Sequence, residues 1–491
     1  LQYLEGMSSS YPSEIAAART ARDAWQGVPL AERLRHVRAL RHLIATRVDD
    51  LIAAVQADIG RPAIEVVATE LLPTAAALKF LERRARRILK PVRIPLGIRP
   101  TWLMGCRDVI HRRPWGVVGV IGTWNYPIYL NVGPIIQAVA AGNAVLWKPS
   151  ETAARSADLV HGLILEAGFP PALVGKLPAT RDAGPRLAEA EIDYLVFTGS
   201  DAVGRVLAAH LGERLIPSTL ELSGCDAMFV LGDADIELAA RGAWFGMTLN
   251  RGQTCIAVRR IFIDRRRQAA FIEAIRKLGT NSSEMKLVTP GQAVAARRLI
   301  DDARARGARL LQFPGRPNSP DPTSMSPTLL LDVPADAAIQ REACFAPVAA
   351  VIPFDSLDEA IGIARQCPFG LGSSIFTRDT AAAMDLAARI PAGSVVINDV
   401  LAPTAHPATP FGGRGDSGWG VTQGAEGLLA MTVPQVVTVH RGTFRPHFDE
   451  AVSPRSGTGE MLRGLLRWTH ARGLREKLRG LRQMIAGEKK K

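Results

Sequence analysis

The feature that most constrains this chain is a change of texture near residue 117. From there, short β-branched and aliphatic runs at 117–121, 144–147, 174–177, 194–197 and 219–222 alternate with small-residue helical stretches at 132–141, 156–167, 184–190 and 202–211. Short buried strands separated by helices are the pattern of parallel βαβ units in an open, doubly wound sheet. A second alternation follows, with strands expected at 227–231, 261–263, 348–353, 374–376 and 394–398 and helices at 236–249, 268–278, 357–366 and 380–390. Two α/β domains result. No repeat of 20–50 residues recurs, which argues against solenoids and propellers. The segment before this region reads as helical from 13 to 90, stopping once at Gly60-Arg61-Pro62 and ending in a basic run at 82–87. Pro91, Pro95, Gly97 and Pro100 punctuate an extended arm or hairpin that continues to about residue 110.

At 491 residues the chain has room for two or three domains and a large core. Its 47% apolar and 22% charged residues exclude a wholly disordered or collagen-like chain. Apolar runs fall short of the roughly 20 residues that span a bilayer, and no secretory leader is read, the residues before Met7 being set aside. Five scattered cysteines (Cys106, Cys225, Cys255, Cys344, Cys367) form neither a disulfide framework nor a zinc ladder, which fits a reducing cytoplasm. The nine histidines show no metal-ligand spacing, so no metal is expected. The net charge of +13 raises nucleic acid or an anionic membrane as partners.

In open parallel sheets, ligands bind beyond the carboxyl ends of the strands. After residue 121 comes Gly122-Thr123-Trp124-Asn125-Tyr126-Pro127, whose Asn125 is either a turn residue or a donor aimed at a ligand. After Trp147 comes Lys148-Pro149-Ser150-Glu151, an exposed ion pair or a pair of ribose ligands. Thr198-Gly199-Ser200-Asp201-Ala202-Val203-Gly204 turns into a helix whose free N–H groups suit a pyrophosphate, although its spacing is not G-x-G-x-x-G. Glu221 sits in an apolar strand, either facing outward or held in the dry surroundings that suit a general base. Asn250-Arg251-Gly252-Gln253-Thr254-Cys255 ends on a cysteine that is a small core residue or a nucleophile.

Taken together, GTWNYP, WKPSE, FTGSDAVG, LELSG, GQTC, FAPV and PFGGRGDSG, in this order over residues 15–440, resemble the aldehyde dehydrogenase superfamily, with a lean toward its class 3 branch for fatty and aromatic aldehydes. The resemblance implies an α/β fold with a Rossmann-type cofactor domain (7–95 and 115–222), an α/β catalytic domain (223–427), a small oligomerisation arm (96–114 and 428–444) and a tail (445–491). It implies that Cys255 attacks the aldehyde, that Asn125 and the Cys255 N–H hold the oxyanion, and that Glu221 activates the water that hydrolyses the thioester. Relatives that transfer the acyl group to coenzyme A generally lack this glutamate, so the product is expected to be a free acid. Lys148, Glu151, Gly199, Ser200, Gly204, Trp124 and Phe345 match cofactor-side positions, for NAD with NADP possible as well. A homodimer or homotetramer is implied.

Three departures stand out. Ala343-Cys344-Phe345 replaces Glu-x-Phe, removing the carboxylate that usually holds the nicotinamide ribose and leaving Glu342 one position early. Ser223 and Cys225 replace a Gly and a Lys. Cys344 reads as core filler or a redox partner for Cys255. Trp244, Met247 and Leu249 are expected to line an apolar entrance for aliphatic or aromatic aldehydes. From 459 onward, Met461, Leu465, Trp468, Leu474, Leu478, Leu481 and Ile485 recur at helical spacing among Arg and Lys: a basic amphipathic helix for a protein partner or an anionic membrane. Residues 457–491 carry +7 and residues 82–93 carry +5, so the remaining chain is nearly neutral. Nucleic acid is therefore not expected, and the protein is placed in the cytoplasm, peripheral to a membrane surface. A non-catalytic relative serving as a binding or structural protein is the rival reading.

Overall fold

A computed structural model describes residues 10–313, 320–443, 445, 448 and 457–488. The expected domain start at 7–9 and the tail residues 446–447, 449–456 and 489–491 lie outside the described residues. The chain divides into two compact units, one from Leu1–Ile88 with Pro114–Val433, the other from Leu89–Arg113 with Pro434–Lys491.

The first unit contains two sheets. In one, the strands run in the order Gly418–Trp419, Ser218–Glu221, Tyr194–Thr198, Val117–Ile121, Ala144–Lys148, Val174–Lys176. All pairings are parallel except that of Gly418–Trp419. Every residue of Val117–Ile121 and Ala144–Lys148 is buried, which is why these runs lack polar alternation. The chain builds outward from Val117–Ile121 through Ala144–Lys148 to Val174–Lys176. It then returns to place Tyr194–Thr198 on the opposite side. That reversal is a topological switch point, and a crevice for ligand opens at the carboxyl ends of Val117–Ile121 and Tyr194–Thr198.

The other sheet orders Arg309–Gln312, Thr328–Leu331, Val348–Phe354, Val258–Asp264, Asp226–Val230, Gly372–Phe376, Ser394–Ile397. Helices Ile236–Thr248 and Gln268–Gly279 cover one face, and Pro290–Ala305, Leu357–Ala364 and Thr380–Arg389 cover the other, so an apolar layer lies on each side. Arg309–Gln312 and Thr328–Leu331 were not anticipated. The strand expected at 261–263 begins earlier, at Val258, and takes in Arg259 and Arg260, which are 1% and 3% exposed.

The N-terminal helices Leu30–Thr46, Val48–Ile59 and Leu72–Ile88 follow the apolar spacing, and Gly60 closes the second in a left-handed conformation at φ 65°. In the second unit, Val92–Arg93 pairs antiparallel with Cys106–Pro114, and Thr432–His440 completes a three-stranded sheet at its edge. The tail is not the single helix its periodicity suggests. It is two helices, Thr458–His470 and Leu474–Glu488, because Gly473 takes φ 85° and turns the chain.

Candidate active site

Cys255 follows a loop of unusual backbone. Asn250, Arg251 and Gly252 take φ values of 50°, 58° and 71° in succession. Gly252 has a steric reason as well: a Cβ there would lie 2.2 Å from the Ala346 carbonyl oxygen. The loop is held by side chains from elsewhere. Arg259, buried in its strand, donates to the carbonyls of Gly252, Ala346 and Val348. Gln253 donates to the Asn250 carbonyl at 3.0 Å and accepts from the Val288 N–H at 2.9 Å.

Asn125 is 3% exposed. Thr123 Oγ1 donates to its Oδ1 at 2.8 Å and its Nδ2 donates to the Gln253 carbonyl at 3.1 Å. The amide is thus locked, and its second N–H remains for another acceptor. Beneath it lies Arg61, read from sequence only as part of a helix stop. Arg61 and Glu70 form an ion pair at 2.8 Å with both side chains fully buried. Arg61 also donates to the Asn125 carbonyl and to Asn250 Oδ1, and its guanidinium lies 4.4 Å from the centre of the Tyr126 ring. Glu70 accepts from the N–H groups of Ile128 and Tyr129 at 2.9 and 2.8 Å. One buried arginine therefore ties the Asn125 loop to the loop that precedes Cys255.

Glu221 is the last residue of its strand rather than an interior one, 7% exposed, and Thr422 Oγ1 donates to its carboxylate at 3.0 Å. Glu221 and Cys255 line one cavity of about 220 Å³ with Tyr126, Leu130, Leu222, Phe245, Leu249, Leu401 and Phe411, and no Lys or Arg lines it among the described residues. Burial pushes the Glu221 carboxyl up to about 8, with only the Thr422 hydroxyl opposing. Burial, then the charges of Glu221 and Asp226, push the Cys255 thiol up to about 12. Both shifts have the same leading cause, burial in an apolar cavity that disfavours charge. The resting nucleophile is a thiol, and Glu221, lining the same cavity, is the group placed to take a proton in its charged form.

The remaining sequence-predicted residues fall as follows. Lys148 and Glu151 flank the end of their strand, with Nζ 3.2 Å from Oε2. Exposed Arg181, not anticipated, lies 3.1 Å from the other Glu151 oxygen. Gly199 and Ser200 begin the helix Asp201–Glu213, where Ser200 Oγ accepts from the Val203 N–H. Gly204 lets that helix approach the sheet, since a Cβ would lie 2.4 Å from Leu222. Val203 and Val206, one turn apart on the same helix, are about half exposed, an apolar platform where a nucleotide base can lie. Lys148, Glu151, Gly199, Ser200 and Gly204 lie at or follow the carboxyl ends of strands Ala144–Lys148 and Tyr194–Thr198, next to the switch point.

Trp124 and Phe345 meet edge-on at 6.3 Å. Trp147 is a fully buried core residue. Glu342 is paired with Arg298, away from any cofactor role, and Ala343 packs against Cys225, Cys367 and Phe369. Cys344 belongs to the core of the second sheet, so it is not a redox partner for Cys255. Of the three residues expected at an apolar entrance, Leu249 lines the cavity; Met247 is core, and Trp244 packs on Phe313 at 5.3 Å. Phe245 takes the expected place.

A doubly wound nucleotide sheet beside a cavity holding a cysteine and a buried carboxyl defines a nicotinamide-dependent dehydrogenase that works through a thiol. The model of the aldehyde dehydrogenase family matches residues 3–437. The chain is 33% identical to 4,4'-diapolycopene aldehyde oxidase of Methylomonas sp over 86% of this chain and 80% of that one. It is 32% identical to a putative succinate-semialdehyde dehydrogenase [NADP(+)] of Mycolicibacterium smegmatis over 89% and 86%. Among solved structures, a Mycobacterium tuberculosis aldehyde dehydrogenase complexed with NAD+ superposes with a TM-score of 0.80 at 29% identity, covering 87% of this chain and 89% of that one. The chain belongs to the aldehyde dehydrogenase family and oxidises an aldehyde to a carboxylic acid with NAD(P).

Proposed function

We propose that the substrate is an apolar aliphatic or aromatic aldehyde and that Cys255, Asn125 and Glu221 carry the chemistry. The observation that supports this reading is the shared cavity, which holds the thiol and the carboxyl, is walled by Leu, Phe and Tyr side chains, and has no cation among its described lining residues. A succinate semialdehyde carries a carboxylate that would enter such a cavity unpaired, at a cost of several kcal/mol.

Glu221 takes the proton of Cys255 as Sγ attacks the carbonyl carbon. The second N–H of the Asn125 amide and the Cys255 backbone N–H hold the oxyanion, each such donor being worth about 10²–10³ in rate. When bound, NAD(P) would supply the hydride acceptor for the oxidation. Lys148 and Glu151 would hold its adenosine ribose, the helix start at Gly199, Ser200 and Gly204 its pyrophosphate, and Trp124 and Phe345 would pack at its nicotinamide end. After the proton taken from Cys255 has left for solvent, the Glu221 carboxylate deprotonates a water that cleaves the thioester, and the proton it gains passes to the departing Cys255 thiolate as the acid is released.

The protein works in the cytoplasm, peripheral to a membrane, as a homodimer or homotetramer. The edge strand Thr432–His440, with exposed Val436, Val437 and Val439, is a surface of the kind that pairs with a second copy. The decisive experiment has two parts. Cys255→Ala abolishes NADH formation, and Glu221→Gln, which removes the base from both thioester formation and hydrolysis, lowers it by at least about 10²-fold. Along a series from butanal to octanal, kcat/KM rises by up to about fourfold per methylene. NADH formation by Cys255→Ala, or a preference for succinate semialdehyde over pentanal, refutes the reading.

A further inference from the structure

The two tail helices pack in an unusual way for a hairpin in water. Their seam is made of glycine. A Cβ on Gly464 would lie 2.5 Å from the Gly480 carbonyl oxygen, one on Gly480 2.6 Å from the Gly464 carbonyl oxygen, and one on Gly487 2.5 Å from the Gly457 carbonyl oxygen. The backbones touch at these points, and the helices run antiparallel because Gly464 faces Gly480 while Gly457 faces Gly487. The seam therefore has little room for large apolar side chains, and several remain outside it.

Their direction follows from helix geometry. At 100° per residue, Leu465 and Leu466 lie roughly 100–200° round from Gly464, and Leu474, Leu478, Leu481 and Ile485 lie roughly 100–160° round from Gly480. In an antiparallel pair, equal rotations from the seam point to the same side of the plane holding both axes. Leu465 and the four on the second helix thus share one side of a flat two-helix slab, with Leu466, near roughly 200°, at its outer edge. Arg463 and Arg467 on the first helix, and Arg475 and Arg479 on the second, fall roughly 220–300° round, toward the other side; Arg482 lies at the outer edge near roughly 200°, and Lys477, near roughly 60°, flanks the apolar side by the seam. Leu466 is 63% exposed at the edge, and on the apolar side Leu474 is 72% exposed, Leu478 43% and Ile485 49%.

We propose that the hairpin Thr458–Glu488 is a docking element for an anionic lipid bilayer, lying in the plane of the interface with its leucine side in the acyl boundary. Three observations carry this. Small residues in the seam and large apolar ones outside it are the arrangement helices adopt when lipid, not water, surrounds them. Neither helix can cross a membrane: no helix among the described residues is long and apolar enough to do so. The sequence from 457 to 491 carries ten Lys and Arg against three Glu. That charge favours anionic headgroups over a second copy of the same basic segment.

The test is flotation of the full-length chain with vesicles of phosphatidylcholine alone and of phosphatidylcholine with 30% phosphatidylglycerol. The chain is expected to float with the anionic vesicles and to bind phosphatidylcholine at least tenfold more weakly. Leu466→Glu/Leu478→Glu is expected to lose binding by at least tenfold. Arg475→Gln/Arg479→Gln/Arg482→Gln is expected to lose it by about 100-fold, on the basis of about 1 kcal/mol per basic residue near the surface. Helical circular dichroism and oxidation of a short, soluble aldehyde stay at wild-type levels in both variants. Three results overturn the proposal: a wild-type chain that does not float; a Leu466→Glu/Leu478→Glu variant that floats as well as wild type; or one that changes only its oligomeric mass, which would make the leucine side a contact between copies. Flotation and the aldehyde series are independent readouts, so either proposal can fail while the other stands.

Discussion

Arg61→Met isolates what the buried ion pair contributes. The change keeps most of the side-chain volume but removes the charge from a site where both Arg61 and Glu70 are fully buried. Removing one member of such a pair costs about 3–5 kcal/mol, because the other remains as an uncompensated buried charge. Glu70 has one way to limit that loss. Burial already holds its carboxyl near 7 even with Arg61 attracting the charged form. Without Arg61 the value rises further, so Glu70 is neutral at pH 7 and the loss should fall toward 3 kcal/mol. The pH dependence has a definite sign. The carboxyl titrates near 4.5 when unfolded and above 7 in the folded variant, so the native state binds the extra proton and its stability declines as pH rises between those values. The deficit should therefore be larger at pH 8 than at pH 6.

The same change frees the Asn125 carbonyl from one of its two side-chain donors, the other being Asn250 Nδ2 at 3.1 Å. A misplacement of about 1 Å in an oxyanion donor costs up to about 10²-fold in rate, so kcat should fall by about 10–100-fold with a smaller effect on aldehyde KM. Urea unfolding of wild type, Arg61→Met and Arg61→Met/Glu70→Leu at both pH values, with steady-state NADH production, measures all of this. The double variant should regain part of the stability but not the rate. A single variant within 1 kcal/mol of wild type, or a double variant no more stable than the single, refutes the account.

Other consequences are simpler to test. Because the Glu221 carboxyl is raised to about 8, its base form predominates only above that pH, and steady-state turnover limited by thioester hydrolysis should rise through about pH 8. Thr422→Val removes the hydroxyl that favours the charged form, and should move that limb to higher pH in a pH–rate profile; an unmoved limb would detach it from Glu221. Arg181 bonds Glu151 on its exposed side, where it offsets the repulsion of a ribose phosphate. Arg181→Ala should raise KM for NADP several-fold more than KM for NAD, and equal effects would remove Arg181 from cofactor choice.

How legible the site was depends on the residue. Asn125 and Glu221 stood out because they follow or end a short strand, and Cys255 because it closes a polar, glycine-containing loop, all in stretches whose residue types already suggested chemistry. Arg61, Arg259 and Arg260 did not. A charge flanked by Gly and Pro, or two arginines at a strand start, reads as surface; only the folded chain brings the carbonyls of Asn125, Gly252, Ala346 and Cys225 within their reach. Arg181 was hidden in the same way, thirty residues from the glutamate it meets. The entrance expectation failed by a helical turn's geometry: Trp244 and Met247 face the core, while Phe245, between them, faces the cavity.

The sequence by itself determined many local facts: the parallel strands of the first sheet, the helix stop at Gly60, and the loops that carry Asn125, Glu221 and Cys255. It also determined that the charge is concentrated in two short segments. Tertiary structure decided the rest. It placed the Cys255 thiol and the Glu221 carboxyl in one dry cavity, which sets both pKa values, because desolvation depends on what surrounds a group and not on its neighbours in the chain. It likewise turned a single amphipathic period into a glycine-seamed hairpin. Periodicity reports which side of a helix is apolar; only packing decides whether that side is covered.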